Sequence, residues 1–211
     1  LSSAMGTIFS TGRFIRQGYV DWKLFAPAAV FSLLGSVGGT WLQLRTPDVI
    51  LKYLLLAVLP VVAVVTLRTH NWPDEPASMD LRHRVALVWA ASLLIGAYDG
   101  YYGPGTGTFL MLIFIRLGKM DTRHAAGGVK VINLASNLGS LFTALTVGNV
   151  YIAVGLIASV ASILGHYLGA GLAIRNGSRI VRPTVILVLV LLTTKVGSAY
   201  SIPSRAGTPF V

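Results

Sequence analysis

Two charged residues in this chain are embedded in apolar sequence: Asp99, in GAYDGYYGPGTGT, and Lys130, in GGVKVINLASNLGS. Each costs about 2.5–3.5 kcal/mol at the centre of a bilayer, so each needs a partner or a wet cavity. Asn133 and Asn137 follow Lys130 at helical spacing and are expected on its face. One positive charge with two amides offers several donors, the chemistry of a cradle for a small oxyanion. Around Asp99, Gly100, Gly103, Gly105 and Gly107 permit unusual backbone angles, and Pro104 forbids continuation of a helix. Backbone that leaves helical geometry at membrane depth must line a cavity or be buried in protein. Its freed N–H groups can face an anion, as can the positive end of a half-helix starting near Thr106 and capped by Thr106 or Thr108. The expected substrate contacts are therefore Lys130, Asn133, Asn137, Asp99, Gly103, Gly105 and Thr106, with Asp99 orienting Lys130 or handling a coupling proton. The blander alternatives are a Gly-rich tip in which Asp99 caps its own loop, and a lysine that snorkels to the interface or pairs with Asp99.

The elements that must position these groups are membrane helices. Over 211 residues the chain is 54% hydrophobic and 11% charged, with a mean hydropathy of +0.72. An ordinary soluble domain carries about 25% charged residues. Apolar runs long enough to cross a hydrocarbon core recur at 24–44, 49–67, 125–147, 150–173 and 180–199. None has the form of a cleaved signal peptide. The net charge of +10 comes from Lys and Arg that, Lys130 apart, sit at or near the helix ends. This is membrane anchoring, and with no aromatic residues interleaved it argues against nucleic acid as a partner. The absence of cysteine excludes disulfides, a thiolate metal site and a cysteine nucleophile. His70, His83 and His124 have no metal-ligand spacing, and His166 reads as a packing residue. No metal and no cofactor is expected. No nucleotide-binding loop is present, so ATP coupling would need another subunit.

Two stretches of the chain resemble each other. LSSAMGTIFSTGRF (1–14) aligns with LASNLGSLFTALTV (134–147), and SLLGSVGGTWL (32–42) with SILGHYLGAGL (162–172). The expected organisation is the C-terminal part of a first repeat at 1–67, its opening segment lacking, a polar loop at 68–84, a second repeat at 85–199 and a tail at 200–211. Within the second repeat, the apolar segments 85–98 and 105–117 are each short of a span. They form either one broken helix that crosses once or a re-entrant hairpin. Charge distinguishes the two, because cytoplasmic loops are enriched in Lys and Arg. A single crossing divides the sixteen terminal cations eight against eight, whereas a hairpin puts twelve on one face and leaves Arg45, Lys52, Lys195 and Arg205 on the other. The expected fold class is all-α: a polytopic transmembrane bundle with two inverted repeats and a Gly-rich helix break or re-entrant hairpin.

GAYDGYYGPGTGTFLML (96–112), KVINLASNLGSL (130–141) and GHYLGAGLAIRNGSRIVRP (165–183) resemble the sulfite exporter TauE/SafE family, also described as sulfonate uptake permeases. The likeness covers about 85 to 199 and, more weakly, LSSAMGT at the start, which is similar to the end of that family's first lysine-bearing motif. The family's first Gly-rich turn and its lysine would precede Leu1. The resemblance implies a multi-pass permease of the cell inner membrane that moves small sulfur-containing anions such as sulfite, sulfonates or thiosulfate, coupled to an ion gradient. Two other classes compete with it. An intramembrane sulfur-metabolism component is disfavoured by the lack of cysteine, of a metal cluster and of a Ser/His/Asp constellation at membrane depth. A non-transporting membrane scaffold would tolerate Asp99→Asn and Lys130→Met.

Overall fold

Alternation of apolar runs with short Gly-, Asp- and Asn-bearing turns gives, in the computed structural model, six α-helices and no strand among the described residues. Those residues are 1–47, 49, 50, 53, 54, 57, 58, 64, 75–148, 151–176, 179, 183, 187 and 191. The expected spans at 49–67 and 180–199 fall mostly outside them, as do Pro60, His70, much of the 68–84 loop and the tail at 200–211.

The helices are α1 (Ser2–Arg16), α2 (Trp22–Gln43), α3 (Leu81–Tyr101), α4 (Thr106–Leu112, continuing into a π-helical turn, Ile113–Leu117), α5 (Thr122–Val147) and α6 (Ile152–Asn176). Aspartates start two of them. Asp21 accepts from Lys23 N at 3.0 Å, and Asp121 accepts from Arg123 N at 3.1 Å and His124 N at 3.0 Å. Each satisfies N–H groups that a helix start leaves without partners. Helices α2 and α6 are long and apolar enough to cross a membrane.

Helix α3 corrects an expectation. The apolar segment 85–98 extends at both ends into a 21-residue helix, about 31 Å long at 1.5 Å per residue. Polar Arg82, His83 and Arg84 form its first turn, and Asp99 belongs to its last turn rather than to the break. Helical geometry ends only at Tyr102, where Gly103 (φ 88°) and Gly105 (φ 86°) take left-handed conformations on either side of Pro104. The chain then doubles back. Ala77 N, just before α3, donates to Lys119 O, just after the π-helical turn, at 3.0 Å, so the two ends of this hairpin meet.

Cross-helix contacts give the remaining directions. Trp89 Nε1 donates to Leu24 O at 3.2 Å and Thr40 Oγ1 to Gly100 O at 3.0 Å, so α2 and α3 run parallel. Ser32 Oγ donates to Ile132 O at 3.1 Å, and Thr40 Oγ1 lies 3.0 Å from Ser140 Oγ, which makes α5 parallel to both. Helix α1 opposes α5, through Thr11 Oγ1 to Lys130 O at 3.0 Å and Asn137 Nδ2 to Thr7 Oγ1 at 3.3 Å. Helix α6 follows α1, with Arg13 Nη1 donating to Tyr167 O at 2.9 Å.

These directions collect Arg13, Arg16, Lys23, Arg82, Arg84, Arg116, Lys119, Arg123 and Arg175 at one end of the bundle. At the other end, Arg45 is the cation among the described residues. The apolar core is also polarised. Phe14, Leu24, Phe25, Val88, Phe114 and Ile132 pack toward the cationic end, with the Phe25 and Phe114 rings 5.6 Å apart. Toward the opposite end the bundle is hollow.

Candidate functional site

The break between α3 and α4 is held shut by short hydrogen bonds. Tyr98 Oη donates to Pro104 O at 2.6 Å, and Gly103 N returns to Tyr98 O at 3.2 Å. Thr106 is buried, and its Oγ1 lies 2.6 Å from Gly103 O and 2.8 Å from Asp99 Oδ1. Thr106 therefore ties the carboxylate to the turn. Gly105, not Thr106 or Thr108, occupies the cap position of α4, and no side chain caps that helix. The second carboxylate oxygen, Asp99 Oδ2, accepts from Ser136 Oγ on α5. Sequence reasoning missed Ser136. A serine among small residues on an apolar helix gives no signal until a carboxylate is seen opposite it.

Lys130 is not part of this cluster. Among the described residues the ion pairs within 4.0 Å are His83–Asp80 and His124–Asp121, so Asp99 and Lys130 are not paired. Helical geometry explains the separation. Ser136, which meets Asp99, is six residues beyond Lys130, about 9 Å along the axis and about 120° around it. No hydrogen bond or ion pair reaches the Lys130 ammonium among the described residues. Lys130 acts electrostatically on His166 of α6. The His166 ring packs on Gly6, and its Nδ1 lies 3.5 Å from Ser10 Oγ.

The two amides expected on the lysine face divide between different neighbours. Asn137 stays on the α1 side, bonded to Thr7. Asn133 is turned toward α4, where its Nδ2 is within 3.5 Å of the position that a Cβ on Gly107 would take. Its Oδ1 is buried with no hydrogen-bond partner among the described residues. Helix α5 thus presents three surfaces in sequence, Lys130 and Asn137 toward α1 and α6, Asn133 toward α4, and Ser136 toward Asp99.

A cavity of about 570 Å³ lies at the end of the bundle away from the cationic cluster. Asp99, Gly103 and Asn137 line it, together with Thr40, Gln43 and Ser140. No Lys or Arg does. Of the expected contact residues, Lys130, Asn133, Gly105 and Thr106 lie outside its lining. Among the described residues no three His, Asp or Glu side chains converge as a metal-ligating group.

An all-α bundle of apolar helices, hollow at one end, with a broken helix presenting a carboxylate to the cavity, is the construction of a membrane transporter. Comparison with known proteins agrees, and the chain belongs to the sulfite exporter TauE/SafE family, whose sequence model matches residues 1–196. It is 31% identical over 198 residues to a probable membrane transporter protein, ORF9, of Sinorhizobium, covering 92% of this chain and 74% of that one. A probable membrane transporter protein of Haemophilus influenzae is 29% identical over 195 residues, 92% of this chain and 76% of the relative. The probable membrane transporter protein YfcA of Escherichia coli is 25% identical over 195 residues, 92% and 72% respectively. No solved structure matches the chain. The protein is thus a membrane transporter and not an enzyme.

Proposed function

We propose that this protein is a multi-pass permease of the cell inner membrane that moves small sulfur-containing anions, sulfite, sulfonates or thiosulfate, by alternating access. The observation that carries the reading is Lys130, a cation on a core helix with no counter-charge among the described residues. An anion passing between α1, α5 and α6 would supply that counter-charge. The Asn137 amide lies on the same side of α5. Asn133 contributes an amide with unused hydrogen-bonding capacity, and its oxygen and nitrogen exchange on a flip. Gly103, Gly105 and Thr106 shape the adjoining turn. Asp99, on the neighbouring turn and apart from Lys130, is the negative group the substrate must pass.

Three features support alternating access through inverted repeats at 1–67 and 85–199, separated by the 68–84 loop and followed by the 200–211 tail. Segments that align in sequence run in opposite directions, α1 against α5 and α2 against α6. Aligned contacts recur with the helices exchanged: Gly6 of α1 meets His166 of α6, and Gly139 of α5 meets Ser36 of α2, with Gly6 aligned to Gly139 and Ser36 to His166. The bundle is packed at the cationic end and open at the other, the form of a carrier with one gate closed. Enrichment of Lys and Arg makes the closed end cytoplasmic.

Uptake of radiolabelled sulfite, taurine and thiosulfate into proteoliposomes tests the reading. Lys130→Ala is expected to lower flux at least about a hundredfold if the buried charge pair with the anion forms, on the scale of removing one partner of such a pair. Wild-type flux in Lys130→Ala protein of unchanged thermal stability would overturn the site assignment. Absence of flux of all three anions in the wild type would overturn the substrate class.

A further inference from the structure

The carboxylate of Asp99 is the piece that anion binding leaves unexplained. It carries a negative charge into the bundle, and no cation stands within ion-pair distance among the described residues. It also sits in the last turn of α3. The negative end of the α3 dipole is there and opposes a carboxylate, offset by the start of the short α4, whose first residue, Thr106, bonds Oδ1. Among the described residues the cavity wall beside it holds hydroxyls, amides and backbone but no Lys or Arg. The local potential therefore favours a cation.

The donor set says which cation. Five oxygens are linked in one cluster: both carboxylate oxygens of Asp99, Thr106 Oγ1 at 2.8 Å from Oδ1, Gly103 O at 2.6 Å from Thr106 Oγ1, and Ser136 Oγ against Oδ2. One formal charge among neutral oxygens, at a point where a helix unwinds, suits a monovalent alkali ion; divalent sites in proteins recruit more carboxylates. A hydroxyl that donates to the carboxylate keeps lone pairs for a metal ion, so such an ion can be held without breaking either hydroxyl–carboxylate bond. Ser136 comes from α5 while Asp99, Gly103 and Thr106 come from the hairpin. Ion binding would thus clamp the hairpin to the helix that carries Lys130.

We propose that Asp99, Thr106, Ser136 and the Gly103 carbonyl form a sodium site, reached through the cavity and separate from the Lys130 anion site. Sodium bound there fixes the α3–α4 hairpin against α5 and couples ion entry to anion movement. The coupling role rests on the transport reading above; the sodium site itself is tested without it.

The test is equilibrium binding of radiolabelled sodium to the purified detergent-solubilised protein, with thermal stability measured in parallel in sodium chloride and in choline chloride at equal ionic strength. The wild type is expected to bind sodium saturably and to melt at a higher temperature in sodium. Asp99→Asn should abolish both responses. Ser136→Ala should raise the sodium concentration for half-saturation about tenfold, the scale of losing one bond to a charged group. Lys130→Met should retain full sodium binding. If Asp99→Asn does not yield folded protein, Ser136→Ala and Thr106→Val carry the test, since each leaves the charge in place. The proposal is overturned if the wild type binds no sodium saturably, if it is stabilised equally by choline, if stability follows pH while ignoring sodium, or if Lys130→Met removes sodium binding. Sodium binding without sulfur-anion flux would leave this site standing and sink the transport reading; flux without sodium binding would do the reverse.

Discussion

Asn133 and Ser136 are one turn apart on α5, yet their hydrogen bonds predict opposite responses to truncation. Asn133 Oδ1 is buried and without a partner among the described residues, a state that costs about 1–3 kcal/mol of uncompensated desolvation. Asn133→Ala removes that cost, so its melting temperature is expected to equal or exceed that of the wild type while anion flux falls. Ser136 Oγ donates to the Asp99 carboxylate. Ser136→Ala leaves the carboxylate one donor short and is expected to destabilise by about 1.5–3 kcal/mol. Thermal unfolding of both variants in one detergent, alongside flux, checks the pair. A loss of stability in Asn133→Ala would mean that its amide is structural. The residue scale also shows what the sequence concealed. Lys130, Asn133 and Asn137 were legible as polar groups at helical spacing, but their division among three neighbours was not. The drift of about 100° per residue, and which helix packs where, decide that, and a single strand of sequence carries neither.

Glycine spacing separates what a sequence can say about elements from what it cannot. Gly35 and Gly39 read as a packing pair, and both face the α3 backbone: a Cβ on Gly39 would run into Ala97 O, and one on Gly35 into Leu93 O. Gly165 and Gly169 have the same spacing but nothing within 4 Å of a Cβ among the described residues. The motif marks a surface on which helices can approach; the partner has to be present for it to be used. Neighbouring positions give the sharper test. Gly38, beside Gly39 on α2, has nothing within 4 Å of a Cβ among the described residues. Gly38→Ala is expected to be neutral or to stabilise by about 0.5–1 kcal/mol through helix propensity. Gly39→Ala must push two backbones apart, and overpacking of that kind costs about 1–3 kcal/mol or more. Melting curves that rank Gly38→Ala below Gly39→Ala would contradict the α2–α3 packing. Element length was read less well. The hydropathy of 85–98 gave the apolar middle of α3 but missed its polar first turn and Asp99 in its last, because a helix continues through polar residues wherever they find water or partners.

At the scale of the whole molecule, the distribution of Lys and Arg carries more information than any motif. It distinguishes a single crossing from a hairpin by which face the cations share, and the structure offers an independent local reason for the hairpin, the 3.0 Å bond between Ala77 N and Lys119 O. That bond brings the start of α3 and the end of the π-helical turn together, as the proposed hairpin topology expects. These 211 residues contain no cysteine, so single-cysteine variants within them report position without background. Arg82 and Arg116 are exposed near the two ends of the hairpin, and Tyr151, 87% exposed, precedes α6 at the opposite end of the bundle. With a membrane-impermeant maleimide, Arg82→Cys and Arg116→Cys are expected to label in inside-out vesicles and to be protected in intact spheroplasts. Tyr151→Cys is expected to show the reverse pattern. Opposite labelling of Arg82→Cys and Arg116→Cys would mean that residues 81–117 cross the membrane once. The cations would then divide evenly between the two faces, the Asp99 turn would lie within a broken span, and the cavity beside Asp99 would have no defined side from which an ion could enter.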